Sequence, residues 1–595
     1  MQGFPAASKT EMHSRLRRAV DCHRAGELEA AQRAYADILE EMPGQPDAAH
    51  LLGVICRQTG DYADAERLIM QAIQGDPAAA LYYVSLGDVF QATGKMENAI
   101  RCYQQALKLN PNLVEALCNL GNALREQNDS QGAVDCCRKA ISLNPSLPEL
   151  YNNLGLAYFN LKNYESAAAC YKRAINLRPN FVEAYTNLGN VYRDEKNFPA
   201  AISQYQAALS LRPQNEAANY NLGLLFQMQQ DLGQARVCYQ NAIALNPANA
   251  RAYNNLGKLY YDCNELEPAM DCYRQAIRLE PRHADARFNY SLALLMQGEF
   301  AEGWDAYEWR FKRRQWRKIY PHRLKGPRWD GSIFRGRRLL VHGEQGFGDV
   351  IQFIRYLPQV KSLGGEVILE VRPELGELLQ NYSGVDKLVA MSFDSPPPQD
   401  YDCHIPLMSL PQIFGTRLGN IPAQIPYLTP DPVKVGFWKQ CLKDTAFRIG
   451  LVWAAKPTYA HRKTCPLEAF QPLLNCSRVR IYGLQKGPAA GQTAHLAGAM
   501  ENLGAEFESF ADTAGAIECL DLIISVDTAV AHLAGAMGKP VWTLLPYAPD
   551  WRWMLAREDS PWYPTMRLFR QPRQGDWQSV VDAVMRKLVE LLGEE

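Results

Sequence analysis

Prolines recur at positions 43, 77, 111, 145, 179, 213, 247 and 281, an unbroken step of 34 residues. Glycines at 53, 87, 121, 155, 189, 223 and 257 keep the same step. An alanine stands five residues before each proline from Ala72 to Ala276, and Tyr103, Tyr171, Tyr205, Tyr239 and Tyr273 stand eight before it. A lattice this regular demands one piece of supersecondary structure repeated. Proline cannot continue a helix, so it ends one unit and turns the chain into the next. Glycine and alanine let two helices approach, while tyrosine and leucine fill the space between them. One such hairpin cannot bury its apolar face alone, so stability comes from stacked neighbours. Eight units end at these prolines, and a ninth, less regular one at about 282–315, ending GWDAYEWRFKRRQW, reads as a cap or adaptor.

The period, with Y-x-x-L-G-x-x-Y at Tyr151–Tyr158, Tyr185–Tyr192 and Tyr253–Tyr260, resembles the tetratricopeptide repeat (TPR) family. The expectation is an all-α superhelix over 10–315. Of the 15 cysteines, Cys102, Cys136, Cys170, Cys238 and Cys272 sit on the same lattice, and no C-x-x-C pair occurs. Packing, rather than zinc or dithiol chemistry, accounts for them. The lattice also carries Asn119, Asn153, Asn187, Asn221, Asn255 and Asn289, each two residues before the repeat glycine or its equivalent. A ladder of carboxamides on the first helix of each unit offers donors and acceptors to an extended peptide backbone. It resembles the asparagine ladder of protein O-linked N-acetylglucosamine transferases, which implies acceptor binding; simple tolerance of Asn at this position is the alternative.

At 595 residues, roughly three to four domain-sized units are expected. Charge is balanced, 63 basic against 64 acidic residues, which argues against gripping a nucleic acid polymer. No apolar run reaches the roughly 18–20 residues that cross a bilayer. The N-terminal segment lacks the apolar stretch of a secretory signal, so the expected location is the cytoplasm.

After Tyr320 the rhythm stops. Residues 316–335, rich in Pro, Gly and Arg, read as a linker. Strands then alternate with helices: RRLLVH, GEVILEV and DKLVAM in one unit (336–440), FRIGLVWA, RVRIYGL, DLIISV and PVWTLL in a second (441–595). That alternation predicts two Rossmann-like units with parallel sheets, and a cleft where ligands meet strand C-terminal ends.

Two segments carry the chemistry. Gly343-Glu344-Gln345-Gly346-Phe347-Gly348-Asp349 joins a strand to a helix, with Asp349 capping that helix; its G-x-x-G-x-G spacing departs from the dinucleotide fingerprint, and Glu370, about 20 residues on where a ribose-binding acid would stand, keeps that reading as an alternative. Ser525-Val526-Asp527-Thr528-Ala529 ends a buried strand at a turn that opens a helix, whose free N–H groups suit a diphosphate. His532, one turn on, either reaches that ligand or packs. The phrases EQGFGDVIQFIRYLP, RIGLVWAAKP, DLIISVDTAVAHLAGAMGKPVWTLLP and DWRWMLAREDSPWYPTMRLFRQ resemble bacterial repeat-fused glycosyltransferases and, more distantly, the heptosyltransferases, which have the GT-B fold.

That resemblance implies Asp349 as catalytic base and Asp527, Thr528, Ala529 and His532 as the sugar-nucleotide segment. It also implies Lys463, three residues before Pro466, as a phosphate contact. Gln345, Gly346, Gly348, Lys456 and Arg462 complete the expected donor set. The loop WAAKPTYAHRKTCPLEAF is shorter than in such relatives, with Ala455 where glycine is usual. The expected reaction is an inverting transfer from a nucleotide-diphosphate sugar to a hydroxyl of a protein or peptide held by the repeats. It asks for no metal and no cofactor beyond the nucleotide sugar, and Asp400-Tyr401-Asp402 reads as a loop-shaping segment. The alternatives are a protein-interaction scaffold with a degenerate transferase domain, and a lipid-linked saccharide acceptor. The latter would call for a basic amphipathic helix that the sequence does not show.

Overall fold

The computed structural model describes residues 6–314, 324–392, 398–442, 446–456, 463–495 and 500–593. The chain divides into two compact units, Met1–Asn246 and Pro247–Glu595.

The first unit is a run of helical hairpins, from Ala6–Arg24 with Leu28–Glu41 to Glu216–Met228 with Leu232–Leu245. Each repeat glycine is fixed by what faces it. A Cβ at Gly155 or Gly189 would stand 2.6 Å from the ring of Tyr171 or Tyr205, and one at Gly87 would stand 2.5 Å from Tyr103. Those tyrosines are fully buried, so the ring occupies the space that glycine vacates. At Gly121 the partner is Cys137 rather than tyrosine, and the nearest atom lies at 3.4 Å. The lattice alanines from Ala72 to Ala276 are wholly buried. Burial pushes the lattice thiols up, Cys102 and Cys170 to about 11 and Cys272 to about 12, as expected of packing residues.

The turn inside each hairpin shows a second lattice. Gly26, Gly60, Gly94, Asn128, Lys162, Lys196, Gln230, Asn264 and Gly298, again 34 apart, all have φ between 59° and 88°. The residue that follows often caps the second helix: Asp61, Asp129, Asn163 and Asp231 each accept the backbone N–H three residues on, at 2.9–3.1 Å.

The second unit opens with two further hairpins, Ala250–Asp262 with Leu266–Leu279 and Ala284–Gln297 with Phe300–Tyr307, then a 3₁₀ turn, Glu308–Lys312. Two parallel sheets follow. The first holds β1 (Arg338–His342), β2 (Glu366–Val371), β3 (Lys387–Ala390) and β4 (Cys403–Pro406), in the order β3-β2-β1-β4. The second holds β5 (Phe447–Val452), β6 (Val479–Gly483), β7 (Glu501–Asn502), β8 (Leu522–Val526), β9 (Val541–Leu545) and β10 (Met566–Arg570). Its order, β10-β9-β8-β5-β6-β7, is the doubly wound 3-2-1-4-5-6 arrangement read from β7. An all-α TPR array followed by an α/β region of GT-B type is therefore the architecture.

Within this unit the last repeat and the sheets share one core. Phe300, Trp304 and Tyr307 pack with Val350, Phe353, Trp551 and Trp562. Trp304 meets Trp551 edge-on at 5.2 Å between ring centroids, and Phe300 stacks on Trp562 at 5.9 Å. The other face of the second sheet is covered by the helix Trp577–Leu592 through Val580, Val584 and Leu588.

Candidate active site

In doubly wound sheets the strands on either side of the order reversal splay their following loops, which opens a crevice at their C-terminal ends. In the second sheet those strands are β5 and β8. The first leads to Lys456 and, beyond undescribed residues, Lys463, the second to Asp527 and Thr528, so these loop ends leave the same end of the sheet. Lys463 Nζ donates to Asp527 Oδ2 at 2.5 Å, and Asp527 is buried. The Lys463 ammonium is held above its ordinary range: burial works against the charge, but the Asp527 and Asp550 carboxylates together outweigh it. Arg462 lies outside the described residues.

Thr528 is the N-cap of the helix Ala529–Ala536, with extended backbone. Its hydroxyl lies 3.1 Å from that of Ser525. The first intrahelical bond runs from Ala531 N–H to Thr528 O at 3.1 Å, which leaves the N–H groups of Ala529 and Val530 at the open end. His532 lies one turn into the same helix. It is buried, its ring stacks on Trp553 at 5.2 Å, and Nδ1 lies 3.0 Å from the Tyr563 hydroxyl. Burial lowers its pKa to about 3, so the ring is neutral. Of the two readings open for His532, its contacts are those of a packed residue.

On the first sheet, β1 leads into the glycine turn and the helix Phe347–Phe353. Gly343, Gly346 and Gly348 all have negative φ, so left-handed backbone is not what calls for glycine here. Close approach is: a Cβ on Gly348 would stand 2.7 Å from His532 Cδ2. The helix after β1 thus crosses the helix after β8 with a ring in place of a side chain. Asp349 Oδ2 accepts the Gly346 N–H at 2.7 Å, closing the first turn of its helix. Gln345 donates to the Tyr307 hydroxyl at 2.9 Å, and Lys456 Nζ sits 5.0 Å from the centre of the Phe347 ring.

The surroundings of Asp349 are charged and nearly closed. Its other oxygen, Oδ1, pairs with the guanidinium of Arg552. Arg552 in turn donates to Asp550 at 2.7 Å and, through Nε, to Gln352 Oε1 at 2.7 Å. Burial raises the Asp349 carboxyl above the usual carboxylate range, while the Arg552 and Lys463 charges pull it back. Sequence reasoning missed Asp550 and Arg552. The available signal was a charged pair placed among aromatic residues in Asp550-Trp551-Arg552-Trp553. It also missed Glu344, which is buried and accepts two hydrogen bonds from Arg310 of the 3₁₀ turn after the last repeat.

The asparagine row is half-buried along its whole length. Asn119 donates to Asp88 at 2.9 Å, Asn187 to Asn152 at 2.9 Å, and Asn289 to Asn254 at 3.0 Å. Asn221 accepts from Arg193 at 3.1 Å, and Asn255 accepts from Asn254 at 3.3 Å. Several of these amides therefore bridge neighbouring repeats. Asp402, of the D-x-D segment, accepts the Arg338 backbone N–H at 2.7 Å, as a loop-shaping residue would.

Tetratricopeptide-repeat profiles match residues 23–85, successive stretches of 87–262, and 250–283. The profile of glycosyltransferase family 9 (heptosyltransferase) matches residues 492–574, a stretch that includes Asp527, Thr528, Asp550 and Arg552. Protein FlbA of Caulobacter vibrioides is 30% identical over 332 residues, covering 51% of this chain and 54% of FlbA. The chain spans about half the length of that curated relative. Among solved structures, the APC/C hetero-tetramer Cut9–Hcn1 is 17% identical, with 47% of this chain and 55% of that one covered and a TM-score of 0.38. MamA is 28% identical, with 28% and 97% covered and a TM-score of 0.25. No helix among the described residues is long and apolar enough to cross a membrane. The chain joins tetratricopeptide repeats to a glycosyltransferase family 9 (heptosyltransferase) domain.

Proposed function

We propose that the protein transfers a sugar from a nucleotide-diphosphate donor to a hydroxyl of a protein or peptide that its repeats recruit, with inversion at the anomeric carbon. The observation that carries this reading is the meeting of Asp349 with the β5 and β8 loop ends. The helix that carries Asp349 packs on the helix that follows β8, Gly348 against His532, and the Lys463 charge acts on the Asp349 carboxyl. Asp349 takes the proton of the acceptor hydroxyl as that oxygen attacks the anomeric carbon, and its raised pKa suits it to the task. The bond to the leaving diphosphate breaks, and the charge that gathers there is offset by Lys463 and by the open N–H groups at Ala529 and Val530. Lys456, beside the Phe347 ring, adds a second cation in this scheme. Cytoplasmic protein O-glycosylation is the setting we infer from the repeats and the balanced charge.

A panel of nucleoside diphosphates and their sugar conjugates tests this by thermal shift and by nucleotide release. Binding of one base raises the melting temperature through added native-state stability, and Asp349→Asn lowers turnover by about 10²-fold or more. Equal turnover by wild type and Asp349→Asn across the panel favours a scaffold carrying a degenerate domain.

A further inference from the structure

The Asp349 site contains a residue whose placement the transfer scheme does not use. Arg552 sits in the 3₁₀ turn Trp551–Trp553, on the β9–β10 connection, yet its guanidinium reaches the helix that follows β1. All three of its nitrogens are committed. Nε donates to Gln352 Oε1 at 2.7 Å, Nη1 to Asp550 Oδ1 at 2.7 Å, and Nη2 to Asp349 Oδ1. Asp349 and Gln352 are three residues apart, so they present one face of a single helix to one guanidinium. The Asp550 side chain also accepts the Arg552 backbone N–H at 3.2 Å, which fixes the stem as well as the head.

Gln352 shows the direction of the arrangement. It is wholly buried, its oxygen faces Arg552, and its Nε2 has no hydrogen-bond partner among the described residues. Turning the amide over would set N–H against N–H, so the group forgoes one hydrogen bond to hold the guanidinium. Trp551 and Phe353 cover the cation, with ring centres 4.4 and 5.8 Å from Cζ.

We propose that Arg552 is the positioning residue of the Asp349 site: anchored on Asp550 and Gln352, it aims the Asp349 carboxylate and supplies its counter-charge. This rests on the reading of Asp349 as base. The Gly346 N–H holds Oδ2 and Arg552 holds Oδ1, so the carboxylate keeps one rotamer and leaves its remaining lone pairs for the acceptor. The counter-charge matters because burial alone favours the protonated acid, which cannot accept a proton. The other charged or titratable groups around the pair are Lys463, Asp550, Tyr307, Tyr261, His532 and Tyr563.

The test compares wild type, Arg552→Lys, Arg552→Gln, Asp349→Asn and the Arg552→Gln/Asp349→Asn double variant in the full chain. The first readout is nucleotide release from UDP-, GDP- and ADP-sugars as a function of pH. Arg552→Gln is expected to lower kcat about tenfold or more and to move the acid limb of the profile up by about one pH unit, with Arg552→Lys recovering part of both. The second readout is melting temperature against pH, which needs no donor. Without Arg552 the Asp349 pKa rises further, so its ionisation opposes folding. The deficit of Arg552→Gln should then widen from about pH 4 to pH 7, and the added Asp349→Asn should narrow it.

A deficit flat in pH and indifferent to Asp349→Asn overturns the proposal, as does an unshifted rate profile in a turning-over enzyme. If Asp349→Asn turns over like wild type while the melting coupling holds, the reading of Asp349 as base fails. The pairing with Arg552 then stands by itself.

Discussion

Arg310 donates to both oxygens of Glu344, Nε at 3.0 Å and Nη2 at 2.8 Å, with both side chains out of contact with solvent. Glu344 is the second residue of the glycine turn, and Arg310 belongs to the 3₁₀ turn that ends the last hairpin. Ser409 and the Met408 N–H add further hydrogen bonds, and Glu308 stands on the other side of Arg310 at 2.5 Å. The last repeat is thus built into the glycine turn. Removing Arg310 alone strands the buried Glu344 charge, whereas removing both replaces the pair with apolar packing and leaves Glu308 its pairing with Arg328. Arg310→Met should cost about 3–5 kcal/mol in the melting transition of Pro247–Glu595, and Arg310→Met/Glu344→Met should return most of it. A double variant as unstable as the single would show that the loss comes from packing and not from charge.

The repeat glycines differ in what they face, and the difference is measurable. Gly189→Ala drives a methyl to 2.6 Å from the Tyr205 ring, which is wholly buried and cannot turn aside. Gly121→Ala meets Cys137 Sγ at 3.4 Å, ordinary contact. Overpacking costs about 1–3 kcal/mol, so Gly189→Ala should lower the melting point of the repeats while Gly121→Ala leaves it nearly unchanged. Hydrogen exchange localised to the affected hairpin checks both, since repeat arrays need not melt in one step.

His532 is neutral in the fold, its pKa lowered to about 3 by burial, against an ordinary value near 6.5 in the unfolded chain. Below about pH 6.5 the unfolded chain gains a proton that the folded one refuses, so this residue destabilises the protein increasingly as pH falls toward 3. His532→Gln should cost stability at pH 8, where the ring packs between Trp553 and Gly348, and cost less at pH 4.5. A variant deficit that is the same at both pH values would mean that His532 titrates normally.

The repeat was legible in the sequence because its causes are local and periodic. Pro43 to Pro281, the glycines and the tyrosines state one packing rule over and over. The parallel strands were legible for a similar reason, as short apolar runs between helices. Arg552, Gln352 and Arg310 were not. Their partners stand 203, 200 and 34 residues away, and a charge buried by tertiary packing looks in sequence like any charge on a solvated face. Asp349 was visible through its glycine-rich turn and through the family resemblance of the phrase around it. The residues that set its charge carry no such mark.

The left-handed turn lattice offers a direct trade between two known costs. Lys162, Lys196 and Gln230 hold φ of 59–65° where Gly26, Gly60, Gly94 and Gly298 hold 74–88°. A non-glycine residue there costs about 1–2 kcal/mol. Glycine gives back about 0.4–1 kcal/mol through the freedom of the unfolded chain. Lys196→Gly and Gln230→Gly should therefore each stabilise the repeats by about 0.5–1 kcal/mol, and Gly94→Ala should destabilise them by a similar amount. Melting points that move the other way would place the local turn energy below the chain-entropy term.

The asparagine row can be separated into its two roles because its members are not equivalent. Asn187 gives its amide to Asn152, so Asn187→Ala removes a bond between neighbouring repeats and should cost about 1 kcal/mol. Asn119→Ala should cost more, since the Asp88 carboxylate it bonds is already raised by burial and also holds the Tyr103 hydroxyl at 2.9 Å. Bonds to a charged group are worth about 1.5–3 kcal/mol. If the row also reads peptide backbone, Asn153→Ala and Asn255→Ala should weaken acceptor-peptide binding beyond what their melting points account for. Binding measured by titration calorimetry on variants matched for melting temperature decides it. Affinity that simply tracks stability assigns the row to packing between repeats.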